Sequence, residues 1–386
     1  MAPIKDYPQR YALTGELHAR PFPSFQAPSK AVFLAIKQPE RAAARDRGKD
    51  REQLLALLAN YGAPRPDADA THYYGEMGKY WLKWEQHTEL VTYTVFSQDL
   101  SERPFDPDEF DVFPDYWLDA APGGRISSAL LRLMPRPETD AEIAKHLRDW
   151  FVPESLAVGS VLDEAAVVAT DFRIDPAGHL RIAIFADKET GGRRTGRIVQ
   201  RLCEIEMYKS ASMLGFDMVR RIGPKLNELD SKLTDLMAQM RGPSVLAEGT
   251  LHGLLDISVE LETLSMKTAF RFGATGAYLA IVGERITALR EDRFMGRQGV
   301  HEFMMRRYEP AMRTVKSTEN RLQSMSARAI RASELLRTRV DVERSAQNQE
   351  ILASMDKRAD LQLRLQRTVE GLSVVAISYY AVSLAG

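Results

Sequence analysis

Cysteine is nearly absent from this 386-residue chain, where Cys203 stands alone. One thiol excludes an internal disulfide framework and any zinc site built from several thiolates. Val199, Leu202 and Ile205 surround it at helical spacing, so it reads as a buried structural thiol. Net charge is missing as well. The 52 basic residues face 53 acidic ones, leaving a formal charge of −1, and such a balance provides no global field to draw in nucleic acid or anionic lipid, so any basic surface must be local. The N-terminus has neither an apolar stretch nor a cleavage site, which with the scarce cysteine points to the reducing cytoplasm for the bulk of the chain. Motifs of known mechanism are also lacking. There is no P-loop, no Gly-x-Gly-x-x-Gly, no Gly-x-Ser-x-Gly elbow and no His-Glu-x-x-His pair, so no small-molecule substrate or catalytic residue is indicated.

What is present divides the chain. Residues 1–190 read as a mixed α/β head behind an extended arm rich in proline (Pro3, Pro8, Pro21, Pro23, Pro28). Ala31–Ile36 predicts a strand, and Leu54, Leu55, Leu57 and Leu58 predict a helix within Glu40–Tyr61. Tyr73, Tyr74, Tyr80, Trp81, Trp84, Val91, Tyr93 and Val95 predict antiparallel strands, with Gly75 and Gly78 at turns. A loop rich in proline, aspartate and aromatics covers Pro104–Pro122. A strand near Ser128–Met134, a helix over Asp140–Phe151, and strands at Ala165–Ile174 and Leu180–Phe185 follow, the last two joined by the turn residues Asp175–Gly178.

From residue 191 the periodicity is helical. A helical region, 191–300, is broken at Gly223-Pro224, Gly242-Pro243 and Gly296–Gly299. Pro224 marks a kink or a fresh start, as does Pro310. Within this region Phe272–Gly283 is an apolar stretch bracketed by Arg271 and Glu284, which reads as a packed helix whose Gly273, Gly276 and Gly283 touch a neighbouring helix. Residues 301–370 form a long stalk helix. Val315, Leu322, Ala329 and Leu336 repeat every seven residues, the seam of a coiled coil, so self-association into a homo-oligomer through 311–370 is expected, the alternative being a monomer in which helices within 195–290 cover the seam. The fold class is therefore α+β: a mixed head followed by long helices.

Residues 371–386 carry no charge. As a helix they reach roughly 24 Å, short of the ~30 Å hydrocarbon core. A buried core helix is the plain reading. The apolar run that persists to the last residue, and Lys357, Arg358, Arg364 and Arg367 ahead of it, favour instead the start of a membrane segment with the head on the cytoplasmic side of a bacterial inner membrane.

Two constellations carry chemistry. On one continuous strand Glu85, His87 and Glu89 would share a face, and two carboxylates around an imidazole suit a divalent metal such as zinc or manganese. The competing reading is an ion-pair network with Lys83, with Trp84, Thr88 and Leu90 facing the core. Arg193, Arg194 and Arg197 open a helix behind Gly191-Gly192, and Arg20 lies beside His18 in the arm; both arrangements can meet an anion, or can tie segments together.

Four stretches look familiar as a set: Leu17–Phe22, Leu82–Glu89, Gly196–Glu206 and Leu363–Ser373. Together they resemble the bacterial family catalogued as domain of unknown function 3422, described as membrane-anchored. The resemblance implies a chain that continues into a C-terminal membrane region and is truncated here. It implies location and architecture, not activity. The order of α/β head, long helices, basic collar and apolar end also resembles the layout of CorA-type magnesium channels, without their Gly-Met-Asn signature. A membrane-anchored scaffold or regulatory protein is the leading expectation. A channel-like assembly and a metal-binding enzyme or sensor at Glu85, His87 and Glu89 are the alternatives.

Overall fold

The computed structural model describes residues 4–11, 14, 22–39, 45–240 and 247–385. His18 and Arg20 lie outside the described residues, as does the Gly242-Pro243 break. The chain forms two compact units, residues 1–219 with 270–317 and residues 220–269 with 318–386.

The first unit is built on nine strands: β1 (Ser29–Lys37), β2 (His72–Met77), β3 (Tyr80–Gln86), β4 (Leu90–Ser97), β5 (Gly124–Pro135), β6 (Ala157–Val161), β7 (Ala166–Thr170), β8 (Leu180–Ala186) and β9 (Asp292–Arg293). Their order is β2-β3-β4-β1-β5-β8-β7-β6-β9. Only β5 and β8 pair in parallel; the remaining neighbours are antiparallel. Gly78 supplies the left-handed turn residue between β2 and β3 (φ 62°), whereas Gly75 stays in the ladder opposite Leu82. The Asp175–Gly178 turn forms as its residues dictate: the Gly178 amide donates to the Asp175 carbonyl at 2.9 Å, and the His179 amide to Asp175 Oδ1 at 2.9 Å.

The two faces of the sheet differ. One is apolar: Leu34, Leu82, Trp84, Tyr93 and Leu130 pack with Leu54, Leu57 and Leu58 of α1 (Arg47–Asn60), Trp117 of α2 (Asp115–Asp119) and Ile143 and Leu147 of α3 (Asp140–Trp150). Each such side chain contributes on the order of 1.5–3 kcal/mol when fully removed from water. The other face carries Lys83, Glu85, Thr92, Thr94 and Ser127, buried although polar. Against it lies the start of α4 (Gly192–Gln239), with Val199, Cys203 and Met207 beside Phe33 and Phe96. Cys203 is the buried thiol expected, and burial pushes its ionisation upward.

Further helices among the described residues are α5 (Ala247–Leu289), α6 (Val300–Arg307) and α7 (Glu309–Ala385). Pro224 lies inside α4 without ending it. Pro310 instead sits at the first turn of α7, where its missing N–H costs nothing. Between α4 and α5 of the first unit Gly215 is a glycine of close approach, since a Cβ there would collide with Thr275 of α5. The glycines expected in that role differ: a Cβ on Gly273, Gly276 or Gly283 would meet nothing within 4 Å.

The second unit is a helical core. Leu226, Leu229 and Leu233 of α4, Leu254, Ile257 and Leu261 of α5, and Leu322, Met325, Ala329, Leu336 and Val340 of α7 bury one another. The heptad seam is therefore covered within the chain. Asp230 receives hydrogen bonds from Arg321 (2.7 Å) and Arg328 (2.7 Å) along the same contact. Beyond it α7 changes character, and every residue from Arg344 to Leu384 is exposed. Among the described residues no helix is long and apolar enough to cross a membrane, so the membrane segment expected over 371–386 has no span to support it.

Candidate functional site: buried charges around the β3–β4 turn

Strand β3 ends at Gln86, and residues 87–89 form the turn into β4. The strict alternation that would align Glu85, His87 and Glu89 is thus lost, and Thr88 is exposed rather than in the core. Each of the three side chains has its own partners. Glu85 lies 3.2 Å from Lys83 Nζ, which donates to Gln200 Oε1 of α4 at 2.8 Å. Gln200 continues to Glu204 at 2.7 Å, and Glu204 pairs with Arg285. His87 Nε2 meets Thr92 Oγ1 at 3.1 Å, and its Nδ1 meets the Tyr208 hydroxyl at 3.4 Å.

Glu89 is the centre of the arrangement. Its side chain is 0% exposed, and a bare carboxylate so placed would be untenable. Arg271 of α5 answers it with two parallel hydrogen bonds, Nη1 to Oε1 at 2.8 Å and Nη2 to Oε2 at 2.6 Å, the bidentate geometry in which arginine excels. Lys37 stands 3.9 Å away. Burial lowers the Lys37 pKa, Glu89 opposes that shift and Arg271 adds to it. Burial, and then the Glu89 charge, push the Tyr278 phenol upward.

A second arginine holds the turn by its backbone. Arg45 donates to the His87 carbonyl at 2.6 Å and to the Thr88 carbonyl at 3.3 Å, while pairing with Asp50 of α1. Burial, with Arg47 nearby, lowers its pKa to about 10. The turn is thereby clamped between α1 and α5. Removing one member of such a buried set strands the others and costs roughly 3–5 kcal/mol. The chemistry on offer is charge pairing. Among the described residues no group of three His, Cys, Asp or Glu is placed to hold a metal ion.

The arginines at the start of α4 are dispersed in the same way. Arg193 is exposed. Arg194 donates to the Leu162 carbonyl and lies 3.6 Å from Asp163. Arg197 is half-buried, and Arg201 one turn on donates to the Ala288 carbonyl at 2.8 Å. Glu85 and His87 line one small pocket that Glu89 does not reach, and Arg20, expected like the α4 arginines to meet an anion, lies outside the described residues.

A chemically equipped cavity does exist elsewhere in this unit, at residues the sequence did not single out. A half-open cavity of about 260 Å³ is lined by Val32, Val95 and Val112 and by Lys30, Asp99, Ser101, Asp106 and Glu109. Lys30 Nζ is 3.7 Å from Asp99 and 3.8 Å from Glu109. Burial raises the Glu109 pKa, opposed by the Ser101 hydroxyl, Lys30 and Arg132. The only sequence signal was the density of aspartates in the Pro104–Pro122 loop.

The chain belongs to the family described as Protein of unknown function (DUF3422), which it matches over residues 5–386. No curated protein and no solved structure matches it.

Proposed function

We propose that this protein is a membrane-seated, self-assembling scaffold with a regulatory head on the cytoplasmic side. One observation carries the reading: α7 runs as a helix through Arg344–Leu384 with every residue exposed. Ile351, Leu352, Met355, Leu361, Leu365 and Val369, and after them Leu372, Val374, Val375, Ile377 and Leu384, are all more than half exposed. Helical stability in proteins comes mainly from packing of an apolar face, and exposed apolar patches beyond a few hundred Å² mark sites of association.

The two stretches of this helix ask for different partners. Residues 344–370 carry charges of both signs among their apolar residues, as in helices that pack on copies of themselves. Residues 371–385 carry none. Lys357, Arg358, Arg364 and Arg367 precede them, and each basic residue near an anionic surface gains about 1 kcal/mol. The uncharged stretch is roughly 22 Å long as a helix, enough to seat in one side of a bilayer. A regulatory role for the head rests on its charge clusters and cavity.

Flotation with phosphatidylglycerol vesicles tests this. The full chain should float, Val375→Asp with Ile377→Asp should stay at the bottom, and phosphatidylcholine vesicles should retain less. A full chain that ignores both vesicle types overturns the membrane reading. The order of sheet unit, paired long helices and one longer helix with an apolar end favours, as a second reading, a channel-like assembly with the layout of CorA-type magnesium channels. Cation flux into vesicles carrying the protein distinguishes it from a scaffold.

A further inference from the structure

In the first unit a cleft of about 340 Å³ separates the end of α5 from α6 and the start of α7. This volume falls in the range of about 300–1,000 Å³ usual for small-molecule sites. Its walls are apolar: Leu279, Val282 and Ile286 on one side, Met304 and Tyr308 on the other, with Met305 exposed at the mouth. Methionine side chains adapt to ligands of differing shape.

The polar groups of the cleft are mostly spent. The Thr287 hydroxyl donates to the Gly283 carbonyl at 2.9 Å. The Tyr308 hydroxyl is 2.7 Å from Ser212 Oγ. Glu309 differs. Its Oε1 accepts from Arg313 Nε at 3.1 Å and Nη2 at 2.7 Å, but its Oε2 is buried with no hydrogen-bond partner. Leaving a buried acceptor unmet costs about 1–3 kcal/mol. Since Arg313 already balances the charge, what Oε2 lacks is a donor rather than a cation.

We propose that this cleft binds a small, largely apolar molecule carrying an N–H or O–H group, which it delivers to Glu309. Apolar walls take up the body of the ligand, and the buried open acceptor, Glu309 Oε2, fixes its orientation. Anionic and strongly polar molecules are disfavoured, because beyond Glu309 and the exposed His301 the walls offer nothing to pair with them. This site is independent of the membrane and assembly reading above.

Gly283 makes the test clean. It lines the cleft, its backbone is ordinary helix and a Cβ there meets nothing within 4 Å. Gly283→Leu therefore fills the cleft without straining the fold, and the helix gains from losing a glycine. The probe is N-phenyl-1-naphthylamine, an apolar dye with one N–H whose fluorescence rises out of water, titrated into the full chain beside its N-methyl derivative. Wild type should bind the N–H dye at least tenfold more tightly than the methylated one. Gly283→Leu should weaken the N–H dye at least tenfold, with a thermal midpoint no lower than wild type. Glu309→Leu should erase the preference between the two dyes while still binding both. Equal binding by wild type and Gly283→Leu would place the dye on other apolar surface and overturn the proposal. So would equal affinity of wild type for the two dyes, or no binding at all.

Discussion

Within the second unit, one helix contains two stretches with opposite fates. Along 318–340 of α7, Leu322, Met325, Ala329, Leu336 and Val340 are buried against α4 and α5. Along 344–384 nothing is buried, although Leu361, Leu365, Val369, Leu372 and Ile377 are no less apolar. Composition does not separate them. What separates them is the supply of partners, because α4 and α5 offer leucine and isoleucine faces to the first stretch only. Helical backbone can continue past the end of its packing, but the free energy that holds it must then come from elsewhere.

Substituting the covered stretch should have the largest effect. Leu336→Ala opens a cavity in the helical core and should cost about 2–5 kcal/mol, read as a lower denaturant midpoint. Leu365→Ala, the same change in the bare stretch, should stay within about 0.5 kcal/mol in dilute protein. Equal losses at the two positions would abolish the distinction drawn between them.

A smaller effect sharpens it through pH. Hydrogen bonding from Arg321, with Arg328 adding to it, holds the Asp230 carboxyl below its ordinary value, partly offset by burial. A carboxyl depressed in the folded state contributes fully above its unfolded pKa of about 3.9, and the contribution is lost as pH falls through the lower folded value. The pair is partly exposed, so the contribution is at most about 1 kcal/mol. Arg321→Ala should lose less stability between pH 5 and pH 2 than wild type does. An unchanged difference would show that the pairing does not bear on this contact.

Much of the fold was legible because period and turn chemistry are local. The strand at 31–36, the Asp175–Gly178 turn, the helix over 140–150 and the helical remainder all follow from residue order. Strand β6 (Ala157–Val161) escaped notice, since AVGSV lacks the bulky alternation of its neighbours. The heptad at Leu322, Ala329 and Leu336 marks an apolar seam, but its spacing does not choose between a second copy and helices of the same chain as cover; α4 and α5 bury these three residues. The site was less legible still. Alternation at Glu85, His87 and Glu89 assumed an unbroken strand, whereas the chain turns at 87–89 and gives each group a distant partner: Gln200 through Lys83, Tyr208 and Arg271. Those partners lie more than a hundred residues away, where no local pattern reaches. Glu109 and Glu309 owe their interest to burial, which an exposed loop composition and a helix start do not reveal.

On the function proposed above, the end of α7 depends on a partner outside its own chain. Amide hydrogen exchange of the full chain, followed with and without phosphatidylglycerol vesicles, tests it most directly. Exchange along 318–340 should be slow in both conditions, and exchange along 344–384 fast without vesicles and strongly slowed with them. Protection of 344–384 equal to that of 318–340 in dilute, vesicle-free protein would contradict it.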